Sequence, residues 1–191
     1  HYKGMEVEDD FETAIDIHVD AFIPPGYIAN EQQKLDIYKR IAALESEEEC
    51  EEMLEELLDR FGEPPKAVYN LLDVARIKAA AHKLYLAEIV QRGDEWQFTF
   101  YEKAKINPSK IPELLQKSKG ELTFAMEPVP HFLYKKGGIV KPASKVVTPV
   151  NTGRYRVKRP QPAVRPTMEK DKRDAIEIVK NVLNQLNMLL D

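Results

Sequence analysis

The 191-residue chain has one cysteine, Cys50, one tryptophan, Trp96, and only eight glycines. One cysteine excludes an internal disulfide framework and a zinc site built from thiolates. Its place on the apolar stripe of a helical stretch reads as a small buried hydrophobe. Such sparing cysteine use fits a cytoplasmic protein. No apolar run approaches the roughly 20 residues that span a bilayer, so a soluble chain with no membrane partner is expected. Any Gly-x-x-x-x-Gly-Lys-Ser/Thr sequence or comparable glycine-rich phosphate cradle is also missing, which leaves no nucleotide-hydrolysing motif. The expectation is a non-catalytic chain with no cofactor and no metal.

What is present is charge, unevenly placed. The net charge of -4 conceals ten acidic residues against the single base Arg60 between Glu45 and Glu63, and twelve bases against Glu169 and Asp171 between Lys135 and Arg173. An acidic stretch and a basic stretch on one chain point to docking on other macromolecules or to solvated surfaces.

The centre of the sequence is a helical corner. Cys50, Met53, Leu54, Leu57, Leu58 and Phe61 recur at helical spacing behind Ser46 and Glu49, which form a capping box. Gly62 and Pro64-Pro65 end that helix, and a second begins near Pro65 or Lys66. The second helix carries two apolar stripes, Val68/Leu71/Leu72/Ala75/Ala79 and Val74/Ile77/Ala81/Leu84, and so asks for cover over more than half of its circumference. An earlier helix runs from the cap Asn30 through Leu44, with Leu35, Ile37, Tyr38, Ile41, Ala42 and Leu44 as its apolar side.

Around the helices lie strands. Ala14 to Phe22 alternates with period two, placing Ile15, Ile17, Val19 and Ala21 on one side. Asp16, His18 and Asp20 share the other side; a metal set and plain exposure are the two readings, and metal sites need support from elsewhere in the fold. Ala87 to Gln91 and Trp96 to Tyr101 form a hairpin through Arg92-Gly93-Asp94-Glu95. Trp96, Phe98 and Phe100 share one side of the second strand, as sheet core or as a base-stacking row. Asn107-Pro108 opens a short helix through Lys117, Leu122 to Ala125 is a further strand, and Phe132 and Leu133 extend or pair with it. The last segment, Glu169 to Leu190, is an amphipathic helix with the stripe Ile176/Val179/Leu183/Leu186/Leu190, which packs on its own domain or on another chain.

Opposite the core stripe of the helix before Gly62 stand Glu52, Glu55, Glu56 and Asp59. Catalytic carboxylates flank a cleft and are desolvated so that their pKa values separate; these face outward from one helix. They form either a solvated face or a docking surface for a basic partner. In the basic stretch, Arg154, Arg156, Lys158 and Arg159 around Tyr155 have the content of a nucleic-acid contact or of a basic linker.

The blocks Ile23-Pro24-Pro25-Gly26-Tyr27-Ile28, Leu35-Asp36-Ile37-Tyr38-Lys39-Arg40-Ile41-Ala42, Glu56-Leu57-Leu58-Asp59-Arg60-Phe61-Gly62 and Asn70-Leu71-Leu72-Asp73-Val74-Ala75-Arg76-Ile77-Lys78 agree in order and spacing with one family. Over about Ala14 to Leu133 the chain resembles the C-terminal (TRCF) domain of the bacterial transcription-repair coupling factor. The resemblance implies a regulatory part of an ATP-dependent DNA translocase that acts on stalled RNA polymerase and recruits the repair protein UvrA. It implies docking on the N-terminal UvrB-like module of the same protein, which masks the UvrA-binding surface. Carried over to this sequence, Glu56 and Asp59 would pair with arginines of that module, beside Glu52 and Glu55, while Arg60 and Asp73 would hold the domain's own corner. The alternative is a DNA-binding accessory domain acting through its basic extension.

The expected fold class is α+β: several antiparallel helices packed with a small, mostly antiparallel β-sheet, plus a C-terminal helix. Residues 1–12 read as a fragment start or linker and 13–134 as the TRCF C-terminal domain. Residues 135–167 read as a basic proline-rich linker with room for edge strands at Ile139-Val140 and Val146-Val147, and 168–191 as the terminal amphipathic helix.

Overall fold

The computed structural model describes residues 11–136 and 174–190, so the basic stretch with Arg154, Arg156, Lys158 and Arg159 lies outside the described residues. The described parts are β1 (Ala14–Asp16), α1 (Glu31–Ala42), α2 (Glu47–Phe61), α3 (Lys66–Lys83), β2 (Leu86–Arg92), β3 (Glu95–Phe100), α4 (Ile111–Lys117), β4 (Leu122–Ala125), β5 (His131–Lys135) and α5 (Ala175–Leu186). The sheet order is β1-β2-β3-β5-β4; β1 joins β2 in parallel and the other pairs are antiparallel. This is the expected α+β architecture.

Helix α3 organises the packing because its two stripes face different cores. Val68, Leu72 and Ala75 enter a helical core with Ile37 and Ile41 of α1 and Cys50, Met53 and Leu57 of α2. Ile77, Ala81 and Leu84 enter a second core with Ile89, Trp96, Phe98, Phe100 and Phe132 of the sheet and Val179, Val182 and Leu186 of α5. The terminal helix therefore packs on its own chain. Asp174 caps it by accepting from the Glu177 N–H at 2.9 Å, and Asn107 N–H donates to Leu189 O at 2.8 Å beyond its end. The expected helix is described from its cap Asp174 onward, residues 169–173 lying outside the described residues, and it gives way at Asn187 to a tighter 3₁₀ turn that leaves Leu190 exposed.

Other differences have local causes. The Ala14–Phe22 alternation persists in burial over its whole length, but only Ala14–Asp16 pairs. Past Asp16 the His18 N–H donates to the Gln91 side chain at 2.7 Å, and Phe22 N–H turns to Ala67 O. The capping box of α2 is shifted: Ser46 accepts from Glu49 N–H at 3.2 Å, but the Glu49 carboxylate accepts from Glu45 N–H at 2.7 Å, one residue before the cap. The helix expected from Asn107 begins as a 3₁₀ turn, Pro108–Lys110, and Pro112 sits in the first turn of α4, where a missing N–H costs nothing.

Leu58 and Leu35 do not belong to the core; they are 40% and 47% exposed. On α2 the buried arc is centred on Cys50, Met53 and Leu57, with Leu54 and Phe61 half-buried beside it. At about 100° per residue, Leu58 lies a quarter-turn beyond Leu57 and falls off the contact arc. Ala42, at the last turn of α1, is likewise exposed.

Candidate functional site

The outward side of α2 is presented by a corner that is bonded at several points. Gly62 ends the helix at φ 83°, in the left-handed half of backbone space, and its N–H donates to Leu58 O at 3.1 Å. The Tyr27 hydroxyl donates to Gly62 O at 2.9 Å and lies 3.1 Å from Leu57 O, while its ring packs against Phe61. Burial is the main cause that raises the Tyr27 phenol above its ordinary pKa, followed by nearby Tyr69 and Glu63. Across the turn the Tyr69 hydroxyl donates to Glu63 Oε1 at 2.7 Å. Tyr27 escapes a reading by periodicity because its bond reaches 35 residues along the chain, and Tyr69 because its bond crosses the turn between two helices. The aromatic-hydroxyl composition of Pro-Pro-Gly-Tyr was the available signal.

The four carboxylates on this face are not equivalent. Glu56 accepts from both Nη atoms of Arg40 on α1, at 2.7 Å for Nη1 to Oε1, and from Arg60 Nη1 at 2.8 Å. Its hydrogen bonds from Arg40 and then from Arg60 lower the carboxyl pKa from 4.5 to about 2. Asp59, Glu55 and Glu52 are exposed and make no ion pair among the described residues. Helix geometry explains the split. Asp59 marks the outward pole, Glu52 and Glu55 lie within about 40° of it, and Glu56 lies about 60° round toward α1. Exposed Leu58 sits on the opposite flank, past Glu55.

Arg60 bonds Glu56 and also lies over the Phe61 ring at 4.9 Å. Asp73 joins helices: its Oδ1 accepts from Arg76 at 3.3 Å and from Lys180 of α5 at 3.0 Å, and Arg76 Nε donates to Glu47 of α2 at 2.7 Å. The chain Glu47–Arg76–Asp73–Lys180 connects α2, α3 and α5, and a sequence reading of single helices gives no access to it.

The other candidate groups take different places. Among the described residues no three His, Cys, Asp or Glu side chains gather as a metal set, so Asp16, His18 and Asp20 remain three positions along one edge. Trp96, Phe98 and Phe100 are buried in the sheet core, with Trp96 edge-on to Tyr134 and Phe100 edge-on to Phe132; no base-stacking row faces solvent there. Cys50 is buried and unpaired, and desolvation is the main cause that raises its thiol above the ordinary range.

Residues 17–111, which run from the end of β1 to the start of α4 and include this whole face, match the family model described as TRCF domain. The chain belongs to the TRCF domain family. Relatives include the transcription-repair-coupling factor of Bacillus subtilis (strain 168), 37% identical over 121 residues, covering 62% of this chain and 10% of the relative. That of Escherichia coli (strain K12) is 35% identical over 106 residues, covering 56% of this chain and 9% of the relative. The chain thus spans about a tenth of the length of the curated relatives it matches. A crystal structure of the C-terminal domain of transcription-repair coupling factor superposes with a TM-score of 0.62, covering 94% of both chains at 18% identity, and shows the same fold.

Proposed function

We propose that this TRCF domain is a non-catalytic docking element of a cytoplasmic transcription-repair coupling factor, an ATP-dependent DNA translocase that meets stalled RNA polymerase. In this reading it closes on the N-terminal UvrB-like module of the same protein and masks UvrA binding until the motor engages. The observation that carries the reading is the outward face of α2: Glu52, Glu55 and Asp59 exposed without ion pairs among the described residues, beside Glu56, on a helix whose end is fixed by Gly62 and Tyr27. Charge-assisted contacts with arginines at a partly desolvated rim contribute about 1.5 to 3 kcal/mol each. Fully exposed pairs contribute less. A domain that biases a closed-to-open equilibrium works best with docking of that modest size.

The test is to titrate the 191-residue chain with the separately made N-terminal module at rising salt, then to repeat with Glu56→Arg and Asp59→Arg. Salt-sensitive binding that each reversal weakens about tenfold or more is the expected result. Binding that ignores both reversals would overturn the assignment of this face. The second reading, DNA contact through Arg154, Arg156, Lys158 and Arg159, is favoured by the twelve bases between Lys135 and Arg173. Mobility-shift assays at low salt with those four residues changed to Ser decide it, since unchanged DNA affinity removes the basic stretch from consideration.

A further inference from the structure

We propose that Arg40 and Arg60 are internal stand-ins for the partner's arginines, so that docking on the acidic face proceeds by exchange of guanidinium groups at Glu56. The proposal rests on the docking reading above and assigns it a regulatory step.

A carboxylate offers about four lone-pair positions. Three of those on Glu56 are taken: Oε1 accepts from Arg40 Nη1 and Arg60 Nη1, and Oε2 accepts from Arg40 Nη2. One position remains. An incoming guanidinium that pairs through two parallel bonds therefore has no seat while both internal arginines hold. Charge gives the same answer independently. One carboxylate between two guanidinium groups makes a locally positive cluster, which repels a basic partner; with one internal arginine withdrawn the spot is neutral, and with both withdrawn it attracts. Asp59, Glu55 and Glu52 carry no such clamp among the described residues, so they make the first encounter and Glu56 joins afterward.

Both internal arginines are able to leave. Their side chains are 42% and 37% exposed, against 29% for the Glu56 side chain between them. Long flexible stems carry the heads into water without disturbing the helix backbones. Arg60 keeps a second resting place over the Phe61 ring. Arg40 is the bidentate partner and bridges α1 to α2, so it sets the larger part of the barrier. The consequence is a face that binds less tightly than four free carboxylates would, and that has a ready replacement for the partner's charge when the domain releases.

The experiment measures the affinity of the full 191-residue chain for the N-terminal UvrB-like module by titration calorimetry, comparing wild type with Arg40→Gln, Arg60→Gln and Lys39→Gln. Lys39 is an exposed neighbour on α1 with no ion pair among the described residues, and its variant reports the effect of removing one positive charge without touching Glu56. Arg40→Gln and Arg60→Gln are expected to bind about two- to fivefold tighter, the range of an exposed ion pair, and tighter than Lys39→Gln. Affinities no higher than that of Lys39→Gln overturn the exchange. If Asp59→Arg abolishes binding while the arginine variants match Lys39→Gln, the docking reading stands and the exchange falls. If wild type and every variant fail to bind at low salt, both fall. In the free chain, the Glu56 side-chain carboxyl resonance must titrate higher in Arg40→Gln than in wild type; an unmoved midpoint removes the clamp and the proposal with it. Arg60→Gln supplies the same comparison should Arg40→Gln unfold.

Discussion

Glu56 shows how one residue ties folding to pH. Its carboxyl titrates near 2 in the folded chain, against an ordinary 4.5, because Arg40 and Arg60 bond its charged form. A depressed folded value means that the unfolded chain takes up the proton first. The stabilisation is therefore complete above about pH 4.5 and is lost as the pH falls toward 2. Partial exposure screens the pair, so the effect is smaller than the shift alone suggests. Urea midpoints measured from pH 7 down to about 2 should fall more steeply for wild type than for Glu56→Gln, with the two curves converging at the acid end. Parallel curves would mean that the two arginines leave Glu56 in solution.

At the scale of the element, α2 works because one arc is buried and the rest is free. Leu57 is fully buried in the helical core and Leu58, the next residue, is 40% exposed. Leu57→Ala should cost about 2 to 5 kcal/mol by leaving a cavity among Ile37, Cys50 and Val68. Leu58→Ala should stay within about 0.5 kcal/mol of wild type, while weakening docking if the partner covers this flank. Chemical denaturation of the two variants measures the contrast, and equal costs would put the helix in a different rotation.

The same pair marks how far the sequence can be read. Periodicity locates α2, its ends and its core side, because 3.6-residue spacing, a Ser cap and Gly62 are local properties. It does not fix the rotation of the helix to better than a residue, since Leu54, Leu57, Leu58 and Phe61 form a stripe wider than the contact. The two stripes of α3 were legible for the same local reason, and their assignment to two cores required the fold. Glu52, Glu55, Glu56 and Asp59 were legible as one acidic face. Their division into a clamped carboxylate and three unclamped ones depends partly on Arg60, an i,i+4 partner legible within α2, and partly on Arg40, sixteen residues away on α1, which no pattern within α2 reports.

For the whole molecule, the decisive element is α5, which lies beyond 37 undescribed residues in sequence and still completes the sheet core. Its Ile176, Ile178, Val179, Val182, Leu183, Leu186 and Leu189 are buried, and Lys180 reaches Asp73 on α3. Covering the sheet from within the same chain has two consequences. The thermal midpoint of the full chain should not change with protein concentration over about a hundredfold range, because no second copy is needed to cover the sheet. A chain ending at Lys136 should expose the inner face that holds Trp96, 2% exposed when α5 is in place and the sole tryptophan. Its fluorescence should shift to longer wavelength, and unfolding should lose cooperativity as apolar surface is left open. Adding a peptide of residues 174–190 should reverse both changes, since those residues carry the side chains that α5 buries against the sheet core. A truncated chain with unshifted emission and a wild-type thermal midpoint would show that α3 and the sheet close the core alone, and would leave the Asp73–Lys180 pair as a surface contact without influence on α2.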